Sequence, residues 1–327
     1  MKRLSSVLVF ILVLALLLAS CAQQPAQKEA TAVSLRLPWI INAQFAGPYT
    51  ALEKGYFAEE GLNVTINPGG FDINSIPLVA AGTDTFGLHD MGSLLLARSE
   101  EMPLISAATF FQKHPGGAMA LASSGIKTLQ DFTGKTMGFQ EGGPWMLTKA
   151  MLRKNGVDPD SMKQITIGYD LSPIYSGQVD LTTVYATNEP LIAKTQGYDS
   201  VVFLPYDYGI ETSSEALFTT DQYLKDHPDV VCAMVRAIQR GWQYAIDHPE
   251  EAVDIIMKYG KELNRDAELA QMQAQIAHLV TPDSQKYGLG YMTQARWQTA
   301  HDVLRTEGAL ETDVDVTKVF TTQCLQK

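Results

Sequence analysis

Short apolar runs that alternate with helical stretches constrain the fold of this chain more than any other feature. In the first third of the sequence such runs lie at residues 33–37, 64–66, 85–88 and 104–110. Between the first two, Gly47-Pro48 opens a helix, because proline is favoured in the first helical turn. Strand-length runs separated by helices are typical of βαβ units, so we predict a mostly parallel sheet.

A second alternation begins after the turn-forming segment His-Pro-Gly-Gly at residues 114–117. We predict its strands and helices from the same pattern. The strands are expected at 118–122, 136–139, 164–167, 181–184 and 201–204, with helices at 144–155 and 189–196. A further apolar run follows at 216–219, and the pattern is helical from Asp229 to the end. Because these last helices have no strands of their own, we assign them to the outside of the first unit.

This organisation predicts an α/β protein with two lobes, a periplasmic-binding-protein type of fold, and two crossovers between the lobes. We expect lobe 1 to comprise residues 33–115 and 216–327, and lobe 2 to comprise residues 116–215. In open α/β sheets, ligands bind outside the carboxyl ends of the strands. Two crossovers that act as a hinge would allow the cleft between the lobes to close on a ligand.

The N-terminus has the features of a lipoprotein signal peptide at residues 1–20. Lys2 and Arg3 precede an apolar run that ends in Leu-Ala-Ser-Cys21. Cleavage before Cys21 would leave its thiol for lipid attachment, and residues 21–32 lack apolar periodicity, as a flexible tether does. A cleaved signal without a lipid and a transmembrane helix are the alternatives, although the apolar run is short for a span. We therefore expect an extracytoplasmic protein anchored to the cell membrane by a lipid on Cys21.

Charge and cysteine content limit the partners. The formal net charge is −11, and loss of residues 1–20 removes two cations and no acid, which leaves −13. No basic stripe offers a path for phosphates, so nucleic acid is not an expected partner. Once Cys21 is acylated, Cys232 and Cys324 remain. They could pair outside the cytoplasm, or Cys232 could be a small buried side chain in a helix.

The sequence lacks the minimum parts of common active sites. Its six histidines form no His-Glu-x-x-His pair and its cysteines form no Cys-x-x-Cys pair, so no metal is expected. Gly-x-Ser-x-Gly, phosphate-binding-loop and dinucleotide-binding motifs are also missing, so neither an enzyme nor a cofactor is expected. The glycine pair after Glu141 could bind an anion at a helix start, but it more often forms a simple turn, and Glu141 would repel an anion.

Several motifs follow one another in an order that spans nearly the whole chain after residue 33. They are Trp39, the segments 42–51 and 53–64, the segment 81–87, the segment 129–138, Ser176-Gly177-Gln178-Val179-Asp180, Tyr185 and Asn188-Glu189-Pro190. In this order they resemble the solute-binding proteins for sulfonates, taurine, thiamine-precursor pyrimidines and riboflavin, nearest the pyrimidine and riboflavin branch. The resemblance implies the two-lobed periplasmic-binding fold. It also implies that the protein works as a monomer with the permease and ATPase of an ABC importer.

Two departures from the family pattern bear on function. The pyrimidine branch often carries histidine where this chain has Gln44 or Phe45, and the cysteine-dense motif of the related fungal pyrimidine synthases is missing. An enzyme of the pyrimidine-synthase type is therefore the least favoured alternative.

A flat heteroaromatic ligand needs stacking faces and a few hydrogen-bonding groups of fixed direction. The candidate faces are Trp39, Phe45, Tyr49, Trp145, Tyr175 and Tyr185, and the candidate polar groups are Asn42, Gln44, Asn188 and Glu189. Each has a structural alternative: Tyr49 could pack inward, and Asn188 and Glu189 could merely cap the helix that Pro190 begins.

Riboflavin is the first choice of ligand, because the aromatic and amide set suits an isoalloxazine with a ribityl chain and no Arg or Lys is available to neutralise an anion. A thiamine-precursor pyrimidine is the second choice, since Glu189 could accept hydrogen bonds from its amine. Sulfonate or taurine binding, and a lipoprotein scaffold without any ligand, are further alternatives.

Overall fold

The computed structural model describes residues 30–325. The predicted signal peptide, the proposed acylation site at Cys21 and most of the predicted tether lie outside these residues. The first strand begins at Thr31, two residues before the expected start of folded structure, because the Thr31 N–H donates to the carbonyl of Gly61 at 2.8 Å.

Ten strands form two five-stranded sheets within the described residues. They are β1 (Thr31–Arg36), β2 (Leu62–Asn67), β3 (Phe86–His89), β4 (Leu104–Phe111), β5 (Gly116–Leu121), β6 (Thr136–Phe139), β7 (Lys163–Thr166), β8 (Leu181–Tyr185), β9 (Ser200–Phe203) and β10 (Ser214–Thr220). The first sheet, in lobe 1, has the order β2-β1-β3-β10-β4, and the second, in lobe 2, has the order β7-β6-β8-β5-β9. The chain crosses between them after β4 and again after β9.

Each sheet is mixed, whereas the sequence pattern predicted mostly parallel sheets. In the first sheet β10 runs antiparallel to both of its neighbours, and in the second β5 does the same. These two strands are the ones that enter a sheet directly from the other lobe. Their amino ends therefore lie at the same edge as the carboxyl ends of the other strands, and that edge faces the space between the sheets.

Thirteen helices surround the sheets in the described part of the chain. They are α1 (Ala46–Glu53), α2 (Tyr56–Glu59), α3 (Ser75–Ala80), α4 (Met91–Ser99), α5 (Gly143–Lys154), α6 (Ser172–Tyr175), α7 (Glu189–Thr195), α8 (Asp221–Asp226), α9 (Pro228–Asp247), α10 (Pro249–Ile256), α11 (Arg265–Leu279), α12 (Pro282–Tyr287) and α13 (Gln294–Thr306). Helices α9 and α10 pack on α1, and α13 packs on both α4 and α5. Between residues 30 and 325, no helix combines the length and apolar character that a bilayer span requires.

A close helix crossing fixes α1 in lobe 1. A Cβ atom on Gly241 of α9 would lie 2.1 Å from the carbonyl oxygen of Gly47 in α1, so only glycine permits this approach. The neighbouring Trp242 is buried in the lobe 1 core beside Phe111. The crossing therefore holds the turn that precedes α1, which carries Gln44, in a defined position at the cleft.

Two further contacts tie distant parts of the chain together. Cys232 on α9 forms a disulfide with Cys324, so the first of the two alternatives for these thiols is the one observed. The two crossovers also contact each other, because the His114 N–H donates to the Thr212 carbonyl at 3.0 Å. The connection between the lobes is thus a hydrogen-bonded pair of segments.

Candidate functional site

A cavity of about 580 Å³ lies between the two sheets. Its walls come from both lobes: Trp39 follows β1, His89 ends β3, Gln140 follows β6, Tyr185 ends β8 and Glu215 lies near the start of β10. These are the strand ends at which open α/β sheets bind ligands. The volume is within the usual range for small-molecule sites, roughly 300–1,000 Å³.

Six of the ten predicted site residues line this cavity. They are Trp39, Asn42, Gln44, Tyr185, Asn188 and Glu189. The first three come from lobe 1 and the last three from lobe 2, so the structure brings together residues that are up to 150 positions apart.

The other four predicted residues lie elsewhere because their aromatic rings pack against protein. Phe45 and Tyr49 are buried in the lobe 1 core, where Tyr49 contacts Tyr259 at a centroid distance of 4.5 Å. In lobe 2, Trp145 is buried and stacks on Phe139 at 4.9 Å, and Tyr175 stacks on Tyr198 at 4.1 Å. These rings stabilise the lobes and lie outside the cavity lining.

A short turn aims Gln44 into the cleft. The Asn42 side chain caps this turn by accepting a hydrogen bond from the Gln44 N–H at 2.9 Å. Gln44 and Phe45 are adjacent, so their side chains point in different directions: Phe45 into the core and Gln44 toward Glu215.

The Glu189 carboxyl is held by groups of its own segment. The Tyr185 N–H donates to Oε2 at 2.7 Å, and the Asn188 side-chain amide donates to Oε1 at 2.9 Å. Asn188 occupies the N-cap position of α7, yet its side chain makes no capping bond. Burial raises the pKa of Glu189 above its usual range, against the effect of these donors. A carboxyl fixed in this way can direct its remaining lone pairs toward a ligand.

Three aromatic rings meet at the mouth of the cavity, and we call them the aromatic triad: Trp39, Phe71 and Tyr169. The Trp39 centroid lies 4.7 Å from Phe71 and 5.2 Å from Tyr169, and the last two are 5.6 Å apart. Trp39 and Phe71 belong to lobe 1, whereas Tyr169 belongs to lobe 2. Phe71 is 67% exposed and Tyr169 is 58% exposed, so large apolar surfaces face solvent across the cleft. Sequence reasoning missed Phe71 and Tyr169, although each follows a glycine in the loop after a strand.

An acidic group and a histidine lie together on the lobe 1 side of the floor. Asp90 caps α4, accepting from the Ser93 N–H at 2.9 Å and from the Ser93 hydroxyl at 2.7 Å. Its Oδ2 lies 3.0 Å from His89 Nδ1. Burial alone would raise the pKa of Asp90, but the hydrogen bond and charge of His89 hold it well below its usual range. Asp90 is therefore ionised at neutral pH.

His114 lies behind this floor, at the first crossover. Its Nδ1 accepts a hydrogen bond from the Gly116 N–H at 2.9 Å. Burial lowers the pKa of His114 to about 4, against the charge of Asp90. The imidazole is neutral at pH 7, so it contributes no positive charge to the cleft.

Glu215 has the most unusual environment of the lining residues. It is 3% exposed, and its φ of 55° places a non-glycine residue in the left-handed region within β10. Gln44 Nε2 donates to its Oε1 at 2.5 Å. Burial raises the pKa of Glu215 to about 7. Sequence reasoning missed this residue; the available signal was a polar run, Thr212-Ser-Ser-Glu215, directly before a predicted strand.

The lining is rich in carboxyl groups. Asp90, Glu141, Asp170, Glu189 and Glu215 contribute to it, whereas no Lys or Arg does so among the described residues. In the same part of the chain, no cluster of three or more His, Cys, Asp and Glu side chains is arranged to hold a metal ion. The arrangement suits a flat ligand that donates hydrogen bonds.

Comparison with known proteins agrees with this architecture. The model of the family described as NMT1/THI5 like matches residues 42–252. The formylaminopyrimidine-binding protein of Halalkalibacterium halodurans is 30% identical over 264 residues, covering 79% of this chain and 80% of that protein. The riboflavin-binding protein RibY of Chloroflexus aurantiacus is 27% identical over 313 residues, covering 91% of this chain and 87% of that protein.

A third relative is named as an enzyme. The 4-amino-5-hydroxymethyl-2-methylpyrimidine phosphate synthase of Legionella pneumophila is 27% identical, covering 71% of this chain and 75% of that protein.

Among solved structures, the putative sulfonate-binding protein SsuA of Methylobacillus flagellatus superposes with a TM-score of 0.72 at 15% identity, covering 90% of this chain and 93% of that chain. This last similarity establishes the two-lobed periplasmic-binding fold.

Proposed function

Because this chain belongs to the NMT1/THI5-like family, we propose that it is the substrate-binding protein of an ABC importer for a flat, nitrogen-containing ring compound. The observation that carries the proposal is the cavity between the lobes, whose lining combines aromatic rings with carboxyl groups and, in the described residues, includes no Lys or Arg. A ring compound with N–H or O–H donors complements such a lining, since carboxylates accept hydrogen bonds.

The charge of the lining argues against an anionic ligand. A sulfonate would lose its hydration among five carboxyl side chains, and His89, the imidazole of the lining, is already paired with Asp90 at 3.0 Å. An unpaired buried charge is costly. The neutral His114 does not change this balance. Sulfonate or taurine binding is therefore the less favoured alternative for this cleft.

Two ring compounds remain as candidate ligands, each with its own support. Riboflavin, the first choice from the sequence, is favoured by the size of the cavity and by the aromatic triad, which could cover several fused rings. A thiamine-precursor pyrimidine is favoured by the excess of carboxyl groups, which would accept from its amine. One relative named for each of these two ligands matches most of the chain.

Calorimetric titration of the same protein sample with riboflavin, with 4-amino-5-hydroxymethyl-2-methylpyrimidine and with ethanesulfonate tests the proposal. We expect binding of one of the two ring compounds and none of ethanesulfonate. Saturable binding of ethanesulfonate alone would overturn the proposed ligand class. Because riboflavin is yellow, the visible spectrum of protein purified from a flavin-containing host gives an independent reading of that candidate.

We propose that the six lining residues from the predicted set contact the ligand, with Trp39 or Tyr185 stacking on its ring and Glu189 accepting from its edge. Stacking on an aromatic ring adds roughly 0.5–1.5 kcal/mol beyond area burial. Leaving the partner of a buried hydrogen bond unpaired costs about 1–3 kcal/mol. These magnitudes imply losses on the order of tenfold for each anchor removed.

Release of the ligand without chemical change would distinguish a transport protein from an enzyme. The similarity to a synthase supports the enzymatic alternative. Incubation of the protein with each ring compound, followed by mass spectrometry of the extracted ligand, decides between them. Recovery of the added compound unchanged is the expected result, and any new product mass would favour the enzyme.

We also propose that lipid on Cys21 anchors the protein outside the cytoplasm, next to its permease and ATPase. The support is the basic N-terminus followed by an apolar run and Leu-Ala-Ser-Cys21. In cells, Cys21→Ser is expected to move the protein from the membrane to the soluble fraction, with a neutral substitution in the tether, Gln24→Ser, as control. Equal membrane retention of both variants would contradict lipid anchoring.

A further inference from the structure

We infer that Glu215 is the specificity-determining residue of the cleft. Its side chain, a neutral carboxylic acid held in place by Gln44, forms hydrogen bonds with the edge of the ligand ring. This inference rests on the proposed function, since it concerns the same ligand. It deepens that proposal by stating which chemical edge the ligand must present.

The backbone at Glu215 is strained within β10. A left-handed φ of 55° costs a non-glycine residue of the order of a kcal/mol, and glycine would occupy the position without strain. The strand ladder also skips this residue: Ser214 pairs with Phe111 and Ala216 pairs with Thr109. The side chain of this strained residue is 3% exposed and lines the cavity. Strain of this kind is concentrated at functional sites.

The surroundings of Glu215 favour its uncharged form. Within residues 30–325 its hydrogen-bonding partner is Gln44, which carries no charge. The titratable groups that face it are His89, Asp90 and Tyr185. Asp90 opposes a second negative charge, and His89 already pairs with Asp90 at 3.0 Å. Burial raises the pKa of Glu215 to about 7, in agreement with this geometry. Below about pH 7 the cleft thus holds an ionised Asp90 beside a neutral Glu215, two carboxyls with opposite roles.

A neutral carboxylic acid presents one O–H donor beside one carbonyl acceptor. Its complement is a ring edge that has an acceptor beside an N–H donor. A ring nitrogen next to an exocyclic amine has this pattern, and so does a ring carbonyl next to a ring N–H. An aminopyrimidine offers the first edge and an isoalloxazine the second. The same residue therefore suits both candidate ligands, and it discriminates against rings that lack a donor next to an acceptor.

The test is a titration of riboflavin and of 4-amino-5-hydroxymethyl-2-methylpyrimidine into wild type, Glu215→Gln and Glu215→Ala between pH 6.5 and 8.5. Glutamine keeps a donor beside an acceptor but cannot ionise. We expect Glu215→Gln to bind within a few-fold of wild type at pH 6.5 and to stay constant with pH. Wild type should lose about tenfold in affinity by pH 8.5, and Glu215→Ala at least tenfold at every pH. Glu101→Gln is the matched control, because Glu101 also has a positive φ, 62°, but is exposed and lies outside the cavity lining.

Two results would overturn the inference while the proposed function stands. One is a pH dependence of affinity that is the same in wild type and Glu215→Gln. The other is an affinity of Glu215→Ala equal to that of wild type. Failure of wild type to bind either compound at any pH would remove the proposed ligand class and this inference together. Thermal melting of Glu215→Ala with and without ligand separates lost binding from lost folding, and Glu215→Gln serves if the alanine variant does not fold.

Discussion

The buried carboxyl of Glu215 makes the stability of the ligand-free protein depend on pH in a calculable way. Its pKa is about 7 in the folded protein and 4.5 without the protein environment. Between these values the folded state keeps a proton that the unfolded state has released, so stability falls as pH rises. The difference between these two values corresponds to about 3 kcal/mol of stability, which is lost at about 1 kcal/mol per pH unit around pH 6.

Glu215→Gln removes this titration and leaves the other groups unchanged. Urea unfolding of both proteins at half-unit steps from pH 5 to 8 should give free energies of unfolding that diverge with pH. The variant should be more stable than wild type by about 3 kcal/mol at pH 8, because it buries no charge. Above about pH 7 the difference should level off, since Glu215 is then ionised in both states. Free-energy curves that run parallel across this range would refute the neutral, buried state of Glu215.

Four further variants test the ligand site, the lobe 2 core, lobe closure and the disulfide. Trp39→Ala should weaken ligand binding by on the order of tenfold with little change in melting temperature, whereas Trp145→Ala, buried against Phe139, should cost about 3–5 kcal/mol in the free energy of unfolding. Ligand should reduce the radius of gyration measured by small-angle scattering, because both lobes contact the ligand only when the cleft is closed. Tyr169→Ala should diminish that change. An unchanged wild-type scattering profile would contradict closure. Replacing both Cys232 and Cys324 by serine should lower the free energy of unfolding by about 2–4 kcal/mol, since the disulfide links residues 92 apart. The urea midpoint should fall accordingly. An equal midpoint would show that the cross-link does not limit the unfolded chain.

The sequence predicts the strands well because their signals are local. The expected run at 136–139 coincides with β6, and the expected run at 181–184 lies within β8. Apolar periodicity and glycine punctuation operate over a few residues, so no knowledge of distant parts is needed. Strand direction is different: the reversal of β5 and β10 depends on which lobe the chain comes from, and a local pattern carries no such information.

For the side chains of the site, too, local properties can be predicted from the sequence and non-local ones cannot. That Trp39 lies at a strand end is a local property, and the structure puts it at the cavity. Phe45 and Trp145 are also aromatic, but they face a core. Whether such a residue faces a core or the cleft depends on which distant segments pack against it, and the local sequence does not show this. The left-handed backbone of Glu215 also has no local sign, because a glutamate adopts it only when the surrounding structure compensates the strain.

The position of β10 in the first sheet has a consequence for biosynthesis. β10 lies between β3 and β4, and it is the strand to which β4 is hydrogen bonded in that sheet. The ribosome makes β10 only after all five strands of the second sheet, so the first sheet cannot be completed while the second is still being made. The second sheet is continuous in the chain, from β5 to β9, and has all its strands available earlier. We therefore expect the inserted lobe to acquire its structure first and the outer lobe to wait, with β1 to β4 partly unpaired, until residue 220 has emerged.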